Sequence, residues 1–322
     1  MLNVFITVDT EIWCNGWHDL DRKFPEYFKK YVYGATTQGN YALPGTLDIL
    51  DDHGLPAVFF VEPLFSARFG LDPLVEMVGL IQEKEQEIQL HLHPEWVNEA
   101  GNSILTGVSA KLPYMTCCTQ DQQVALIAWG LNRLGQAGVS NVNAFRAGGY
   151  AANRDTLQAV AKNKLTFDSS YNLAGYQGVA DMAPGEILTQ PRFIDGVYEY
   201  PVSVIQSPIT QKKRILQITA CSYRELVDCL NAAYEQKWDS VVIVTHNFEL
   251  LSPDKSRVDQ QVLRRFIRFC KFLASNRDRF RVRGFHHLDP VDVCPQPDII
   301  SGSRLAEGLR MVEQVMRRVR YH

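Results

Sequence analysis

Short apolar segments alternate with longer amphipathic segments along most of this 322-residue chain. Leu2–Val8, Ala57–Val61 and Ser240–Thr245 are continuous runs of mostly β-branched and other apolar residues, typical of parallel strands buried on both faces. Gln120–Gln136 carries apolar residues at helical spacing, and Ser222–Gln236 begins with the capping-box pattern Ser-x-x-Glu. Strands that alternate with helices predict a parallel α/β architecture.

The remaining predicted elements fit the same alternation. Further helices are predicted at Pro44–His53, Asp72–Lys84, Asp155–Lys162, Pro253–Ala274 and Arg304–Arg320. Further strands are predicted at Val142–Arg146, Leu165–Asp168, Tyr198–Val204, Ile215–Thr219 and Phe280–Arg283. We therefore expect one barrel domain over residues 1–290, with an unusually long connection at 12–43, and a C-terminal tail and helix at 291–322.

The segment Glu87–Trp96 alternates apolar and polar residues, which predicts another strand. His91 and His93 therefore project from one face of this strand, and Pro94 ends it. Two imidazoles side by side at the end of a strand can bind a divalent metal. Taken alone, the pair fits two ordinary polar residues on a solvated strand face better, so the metal hypothesis depends on the rest of the chain.

Ionisable residues also stand at the C-terminal ends of other predicted strands, where barrel active sites are assembled. The full set is Asp9, Glu11, His91, His93, Arg146, Asp168 and His246. By strand alternation Asp9 and Glu11 share a face, and the residue between them points away. Arg146 and Asp168 fit a buried ion pair that braces the barrel nearly as well as a catalytic role. His246 ends the apolar strand Ser240–Thr245, where a histidine has little structural reason to stand. We therefore favour a catalytic role for His246.

Composition excludes several classes of protein. The formal net charge of -3 gives no bias towards nucleic acid. Seven scattered cysteines without C-x-x-C spacing predict reduced thiols in a cytosolic protein. The N-terminal residues lack the features of a signal peptide, and no apolar stretch reaches the ~20 residues of a membrane span. We therefore expect a cytoplasmic protein without a transmembrane segment.

The order of these strand-end segments resembles the signatures of the polysaccharide deacetylases, the NodB-homology group or carbohydrate esterase family four. The matching segments are Thr7–Glu11, Ala57–Val61, His91–Pro94, Arg146–Tyr150, Asp168–Ser170 and Val244–His246. The resemblance implies a distorted (β/α) barrel and metal-dependent removal of an acyl group from nitrogen. It also implies that Arg146 orients Asp9 and that Asp168 orients His246.

The sequence departs from this family where the metal ligands are expected. Thr10 occupies the position of the family's metal-binding second Asp, and Glu95 occupies that of its second histidine. Strand alternation offers replacements, because Glu11 shares a face with Asp9, and His93 shares one with the first histidine. Asp9 as a ligand, and Glu95 as the third ligand, remain open alternatives.

The expected site binds one divalent metal through Glu11, His91 and His93. Zinc is the first choice, with cobalt, nickel, manganese or iron as alternatives. Such a metal polarises an amide carbonyl and activates water. In this scheme Asp9 takes the proton from water, and His246 as imidazolium donates one to the departing amine.

Sugar contacts are expected from the connection at 12–43, because aromatic rings stack on sugar faces. Its aromatic residues are Trp13, Trp17, Phe24, Tyr27, Phe28, Tyr31, Tyr33 and Tyr41, and at least half are expected to pack on the barrel. We expect Trp13, Trp17 and Tyr150 to bind substrate. Tyr150 lies one place later than the family's tyrosine.

The predicted substrate is an N-acetylated amino sugar in a sugar nucleotide, a lipid-linked glycan or another intracellular glycan. Biosynthesis of a surface polysaccharide, such as O-antigen or capsule, is the expected setting. A hydrolase of a non-sugar C–N bond, such as a ureide, is an alternative that retention of His91 and His93 disfavours. The second alternative is a catalytically inactive relative that binds glycans.

The C-terminal helix carries Leu305, Leu309, Val312, Met316 and Val319 at alternating spacings of four and three. That spacing is a heptad seam. A seam of little more than two heptads also fits a helix docked on its own barrel. Our hypothesis is a homodimer formed through this helix, with each active site inside one chain.

Overall fold

A mainly parallel, curled sheet organises the chain in a computed structural model that describes residues 1–100, 104–108, 110–174 and 182–321. The strands are β1 (Leu2–Thr10), β2 (Ala35–Thr36), β3 (Gly39–Asn40), β4 (Val58–Val61), β5 (Glu87–Leu92), β6 (Ala144–Ala147), β7 (Phe167–Asp168), β8 (Arg192–Ile194), β9 (Val197–Glu199), β10 (Val204–Gln206), β11 (Lys213–Ile215), β12 (Ser240–His246) and β13 (Phe280–Val282). The helices are α1 (Leu20–Phe28), α2 (Leu43–Asp52), α3 (Ser66–Phe69), α4 (Asp72–Gln82), α5 (Gln120–Gln136), α6 (Arg154–Lys162), α7 (Tyr223–Glu235), α8 (Gln260–Ser275) and α9 (Arg304–Tyr321).

The large sheet has the strand order β12-β1-β4-β5-β6-β7-β9-β8, and β13 pairs with the start of β1. All neighbours are parallel except β8 and β9. On the free side of β12, Ser203 N–H donates to Val242 O, and Ile218 N–H donates to Val244 O. These bonds continue the curl of the sheet towards closure, and the predicted α/β barrel architecture is confirmed.

Each strand of the sheet presents alternate residues to two different cores. In β1, Val4, Ile6 and Val8 pack under the outer helices, while Phe5 points to the inside of the curl. The inner core is a small aromatic and aliphatic cluster, whose members include Phe5, Val58, Phe60, Ala144, Phe167, Tyr200, Val242 and Phe285. The inward residues beyond it, towards the C-terminal ends of the strands, are polar. Strand register pairs Asp9 with His246, and His91 with Arg146.

Several predicted boundaries differ from the structure. The helix predicted from Pro253 begins only at Gln260, because the side chain of Asp259 caps it by accepting from two backbone N–H groups. The strand predicted at Ile215–Thr219 is wrong, since β11 ends at Ile215. The connection at 12–43 contains helix α1, which the sequence analysis missed. None of the helices in the described parts of the chain is long and apolar enough to cross a membrane.

Two buried carboxyl groups meet at the ends of β7 and β9, where Asp168 and Glu199 are register partners. The Asp168 carboxylate accepts from the backbone N–H of Ser170 at 2.9 Å, and that of Glu199 accepts from Tyr171 N–H at 3.0 Å. Burial, and then the neighbouring Asp168, raise the pKa of Glu199 well above its usual range. Glu199 therefore keeps a proton that it shares with Asp168.

We predict that Glu199→Gln makes the fold less sensitive to alkaline pH. Because the pKa of Glu199 is raised in the folded state, its contribution to stability is present below about pH 4.5 and is lost as the pH rises through the folded value. The amide cannot ionise, so the melting temperature relative to wild type should rise by about 2–4 °C between about pH 5 and pH 8. Calorimetry at both values measures this.

Glu235→Gln, at an exposed carboxylate, is the matched control and should follow wild type at both pH values. A constant difference between Glu199→Gln and wild type would contradict the shared proton.

Candidate metal centre and active site

Three side chains from the ends of β1 and β5, which β4 separates in the sheet, converge inside the curl. Glu11 follows the end of β1, His91 lies in β5, and His93 directly follows β5. The Nε2 atoms of His93 and His91 lie 2.7 and 3.6 Å from Glu11 Oε2. The three residues are 9% exposed or less, and one ligand atom from each lies within 4.8 Å of the others.

The other nitrogen of each imidazole is already engaged. His91 Nδ1 lies 2.9 Å from the backbone oxygen of Arg146, and His93 Nδ1 lies 3.0 Å from Glu95 Oε2. Such outer partners orient metal-binding histidines, and here they turn both Nε2 atoms towards Glu11. Glu95 is therefore placed behind His93, and the geometry favours His93 over Glu95 as the third ligand.

Glu11 and His93 favour each other's charged forms, and a metal would bind here in place of the His93 proton. Burial opposes ionisation of Glu11, but His93 and His91 hold its pKa well below the usual range. Burial opposes protonation of His93, but Glu11 and Glu95 raise its pKa to about 10. Two imidazoles and a carboxylate are also a donor set that zinc and other divalent transition metals accept with positions left for water and substrate. The residues present therefore fit a divalent metal.

Gly148 allows His93 to occupy this position. A Cβ atom built on Gly148 would lie 2.6 Å from Nδ1 of the His93 ring, closer than real Cβ contacts come. Any larger residue there would displace the imidazole. Gly148 thus leaves room for a histidine at position 93.

Asp9 lies beside the metal-binding residues and is held by Arg146. Arg146 Nη1 donates to Asp9 Oδ1 at 2.6 Å and to Thr7 Oγ1 at 2.8 Å, and its Nε donates to the Ser169 carbonyl at 2.9 Å. Tyr150 OH lies 3.4 Å from Asp9 Oδ2. Burial opposes ionisation of Asp9, but Arg146 lowers its pKa below the usual range. The contact expected between Arg146 and Asp9 is present, and it occupies Oδ1 of the carboxylate that was the alternative metal ligand.

His246 faces the other oxygen of the Glu11 carboxylate, with its Nε2 atom 3.9 Å from Oε1. Its Nδ1 atom is 2.8 Å from Glu249 Oε1. Burial opposes protonation of His246, but the Glu249 carboxylate raises its pKa to about 9. His246 is therefore an imidazolium at neutral pH, with a proton on the nitrogen that faces the centre.

The carboxylate partner expected for His246 was wrong. Asp168 instead accepts from Ser170 Oγ at 3.0 Å and pairs with Glu199. Glu249 takes the place beside His246 and also accepts from Thr245 Oγ1 at 3.1 Å. Sequence reasoning missed Glu249 because it lies in the loop after β12; an acidic residue three positions after a strand-end histidine was the available signal.

Aromatic rings border the centre on two sides. The edge of Trp13 meets the His93 ring at a centroid distance of 4.8 Å, and Phe248 stacks on His246 at 5.4 Å. Trp17 contacts Trp13 and Trp96 rather than the central residues. Phe248 was not foreseen, and the substrate-binding role of Trp13, Trp17 and Tyr150 stays a prediction.

Most aromatic residues of the connection at 12–43 pack on the barrel, as expected. Phe24 and Phe28 belong to the outer core, and the rings packed against that core are those of Trp17, Tyr27, Tyr31, Tyr33 and Tyr41.

Comparison with known proteins supports the fold and leaves the reaction open. No family model and no curated protein matches the sequence. A solved structure provisionally described as a polysaccharide deacetylase from Mycobacterium smegmatis is similar at a TM-score of 0.54 and 16% identity, over 92% of this chain and 95% of that one. A 4-alpha-glucanotransferase from Thermococcus litoralis is similar at a TM-score of 0.55 and 8% identity, over 98% of this chain but 46% of its own.

These two structures share one architecture and are described with different activities, so the site and not the fold must decide the chemistry. The chain has the fold of the polysaccharide deacetylases, as its motif order predicted.

Proposed function

We propose that this protein is a metal-dependent deacetylase that hydrolyses the amide bond of an N-acetylated amino sugar. The observation that carries the proposal is the meeting of three units in one buried cluster. These units are Asp9 bound to Arg146, Glu11 with the two histidines, and His246 bound to Glu249. This arrangement places an ionised base and a protonated acid, on adjacent strands, beside a donor set for a metal.

The metal would be held by Glu11, His91 and His93, and it would supply Lewis acidity to the acyl carbonyl and to a water molecule. The Asp9 carboxylate takes the proton from the attacking water, and Oδ2 is the available oxygen because Arg146 holds Oδ1. His246 Nε2 gives its proton to the sugar nitrogen as the C–N bond breaks. The hydroxyl joins the acyl carbon, so the products are acetate and a free amine.

The proposed substrate is a glycan or a sugar nucleotide inside the cell, in the synthesis of a surface polysaccharide such as O-antigen or capsule. All seven cysteines are unpaired, which supports a reducing compartment such as the cytoplasm. Trp13 and Phe248 offer ring faces and edges beside the centre for a sugar. Acetate release from a panel of N-acetylated sugar nucleotides and glycans tests the reaction, and an inactive metal-loaded protein would favour a glycan-binding role.

We predict that Glu11→Gln, His91→Ala and His93→Ala each lose the bound metal. Each variant removes one of three ligands, so metal content of the purified protein should fall well below one ion per chain and acetate release should be abolished. Glu95→Gln is the control, because it removes only a partner of His93; its metal affinity should fall by about 10–100-fold. A fully loaded His93→Ala protein, with Glu95→Gln metal-free, would reverse the ligand assignment.

We predict that Asp9→Asn lowers kcat by about 10²–10⁴ and keeps the metal, since it removes the base but no ligand. Thr10→Val is the matched control at the neighbouring position, where the Thr10 hydroxyl bonds only to the Val8 carbonyl. Thr10→Val should retain wild-type kcat and metal content. Loss of metal in Asp9→Asn would make Asp9 a ligand and would contradict its role as base.

We predict that Glu249→Gln shifts the alkaline limb of the kcat profile to lower pH. The Glu249 carboxylate raises the pKa of His246, so its neutral replacement lets His246 lose the donated proton at lower pH. Loss of an adjacent opposite charge typically moves a pKa by about 1–3 units. Asp168→Asn is the comparison variant and should leave the limb in place. A limb that moves in Asp168→Asn and not in Glu249→Gln would refute the pairing.

A further inference from the structure

Helix α9 docks on the protein through its polar face. Ser207 Oγ donates to Glu307 at 2.8 Å, Arg310 lies 3.4 Å from Glu225, and Arg265 lies 2.7 Å from Glu313. Near the end of the helix Arg317 pairs with Asp259, and Tyr321 OH donates to the Val258 carbonyl at 3.1 Å. An amphipathic helix on a globular protein normally buries its apolar face, so this orientation is reversed.

The apolar face of α9 consequently points to solvent. Its side chains are 44–82% exposed, and they are Leu305, Leu309, Met311, Val312, Val315, Met316 and Val319. They are seven of the fifteen large hydrophobic side chains that are exposed in the described parts of the chain. At about 100° per residue they span roughly 160° of the helix. Met311 and Val315 thus widen the seam predicted from the sequence into a broad face, and contiguous apolar surface of this kind marks an interaction site.

The charges on the exposed side of α9 are all positive. Arg304, Arg318 and Arg320 are exposed beside the apolar face. The acidic residues of the helix, Glu307 and Glu313, are bonded to Ser207 and Arg265 on the docked side. Such a face is complementary to an anionic surface. It suits a second copy less well, because helix pairs place opposite charges beside the seam, and here arginines would meet arginines.

The helix lies at the same edge of the sheet as the candidate active site. Asp259 is the N-cap of α8, and Glu225 lies in the first turn of α7. In a parallel α/β fold such helices begin on the side where the preceding strands end, which is also where His246 lies. The loop that leads to Asp259 carries Lys255, whose Nζ lies 4.7 Å from the centroid of the Phe248 ring.

We propose that α9 is an anchor that lies in the interface of an anionic lipid bilayer. The apolar face inserts among the acyl chains and headgroups, and the exposed arginines contact lipid phosphates. Because of the position of α9, the anchor turns the catalytic edge of the sheet towards the membrane surface. This inference needs no assumption about the reaction.

The test uses the full chain and sedimentation with two kinds of vesicle, phosphatidylcholine alone and phosphatidylcholine with phosphatidylglycerol. Wild type should sediment with the anionic vesicles, and much less with the neutral ones or at about 1 M salt. Leu309→Ser/Val312→Ser/Val315→Ser should lose binding. Arg304→Gln/Arg318→Gln should weaken it by more than tenfold, at roughly fivefold for each arginine.

Val75→Ser/Ile187→Ser is the matched control, because both side chains are exposed apolar residues outside α9. It should bind as wild type does, and unchanged melting temperatures would show that all variants fold. Equal binding of wild type and the serine variant overturns the proposal. It is also overturned if wild type ignores anionic vesicles and sediments alone as a dimer that the serine variant converts to monomer; that result would assign the face to a second copy.

Discussion

The guanidinium of Arg146 is a cation buried completely inside the curl of the sheet, stacked 4.2 Å above the Phe60 ring. Removing such a charge from water costs several kcal/mol unless it is paired and fully hydrogen-bonded. Its bonds to Thr7, Asp9 and Ser169 provide that compensation, and they tie β1 to β6 and to the residue after β7. The same residue positions His91 through its backbone oxygen. The side chain of Arg146 therefore holds the proposed base, and its backbone oxygen holds one proposed metal ligand.

The ion pair between Arg146 and Asp9 distinguishes Asp9, in β1, from Glu11, which follows the end of that strand. Arg146 neutralises Asp9, whereas Glu11 has imidazoles as its ionic partners. A second separation involves His246, which Glu249 keeps charged at neutral pH. Each proposed proton-transfer group thus has its own partner of opposite charge, and the central carboxylate and imidazoles are left as a donor set for a cation.

Strand periodicity was enough to predict that Glu11 and the two histidines lie together. Alternation predicted that Asp9 and Glu11 share a face of one strand and that His91 and His93 share a face of a second strand. The order of the motifs predicted the fold. The pairing of His246 could not be predicted, because it depends on a loop whose path no periodic pattern fixes. The docked face of α9 was also unpredictable: it depends on Glu225, Asp259 and Arg265, which other elements supply. Helix α1 had a usable signal, since its buried Leu20, Phe24 and Phe28 recur every fourth residue.

The catalytic proposal and the anchor proposal depend on opposite physical effects, so each can fail without the other. The proposed catalytic centre depends on interactions between charged groups. Burial strengthens these interactions because it shields the groups from solvent and salt. The anchor depends on apolar area and arginines that are exposed and screened by salt. The two regions meet at the loop between His246 and Asp259. Arg317 holds the far end of that loop from the docked side of α9. Replacing the exposed side chains leaves this pair intact, and the loop that carries Glu249 and Phe248 keeps its anchorage.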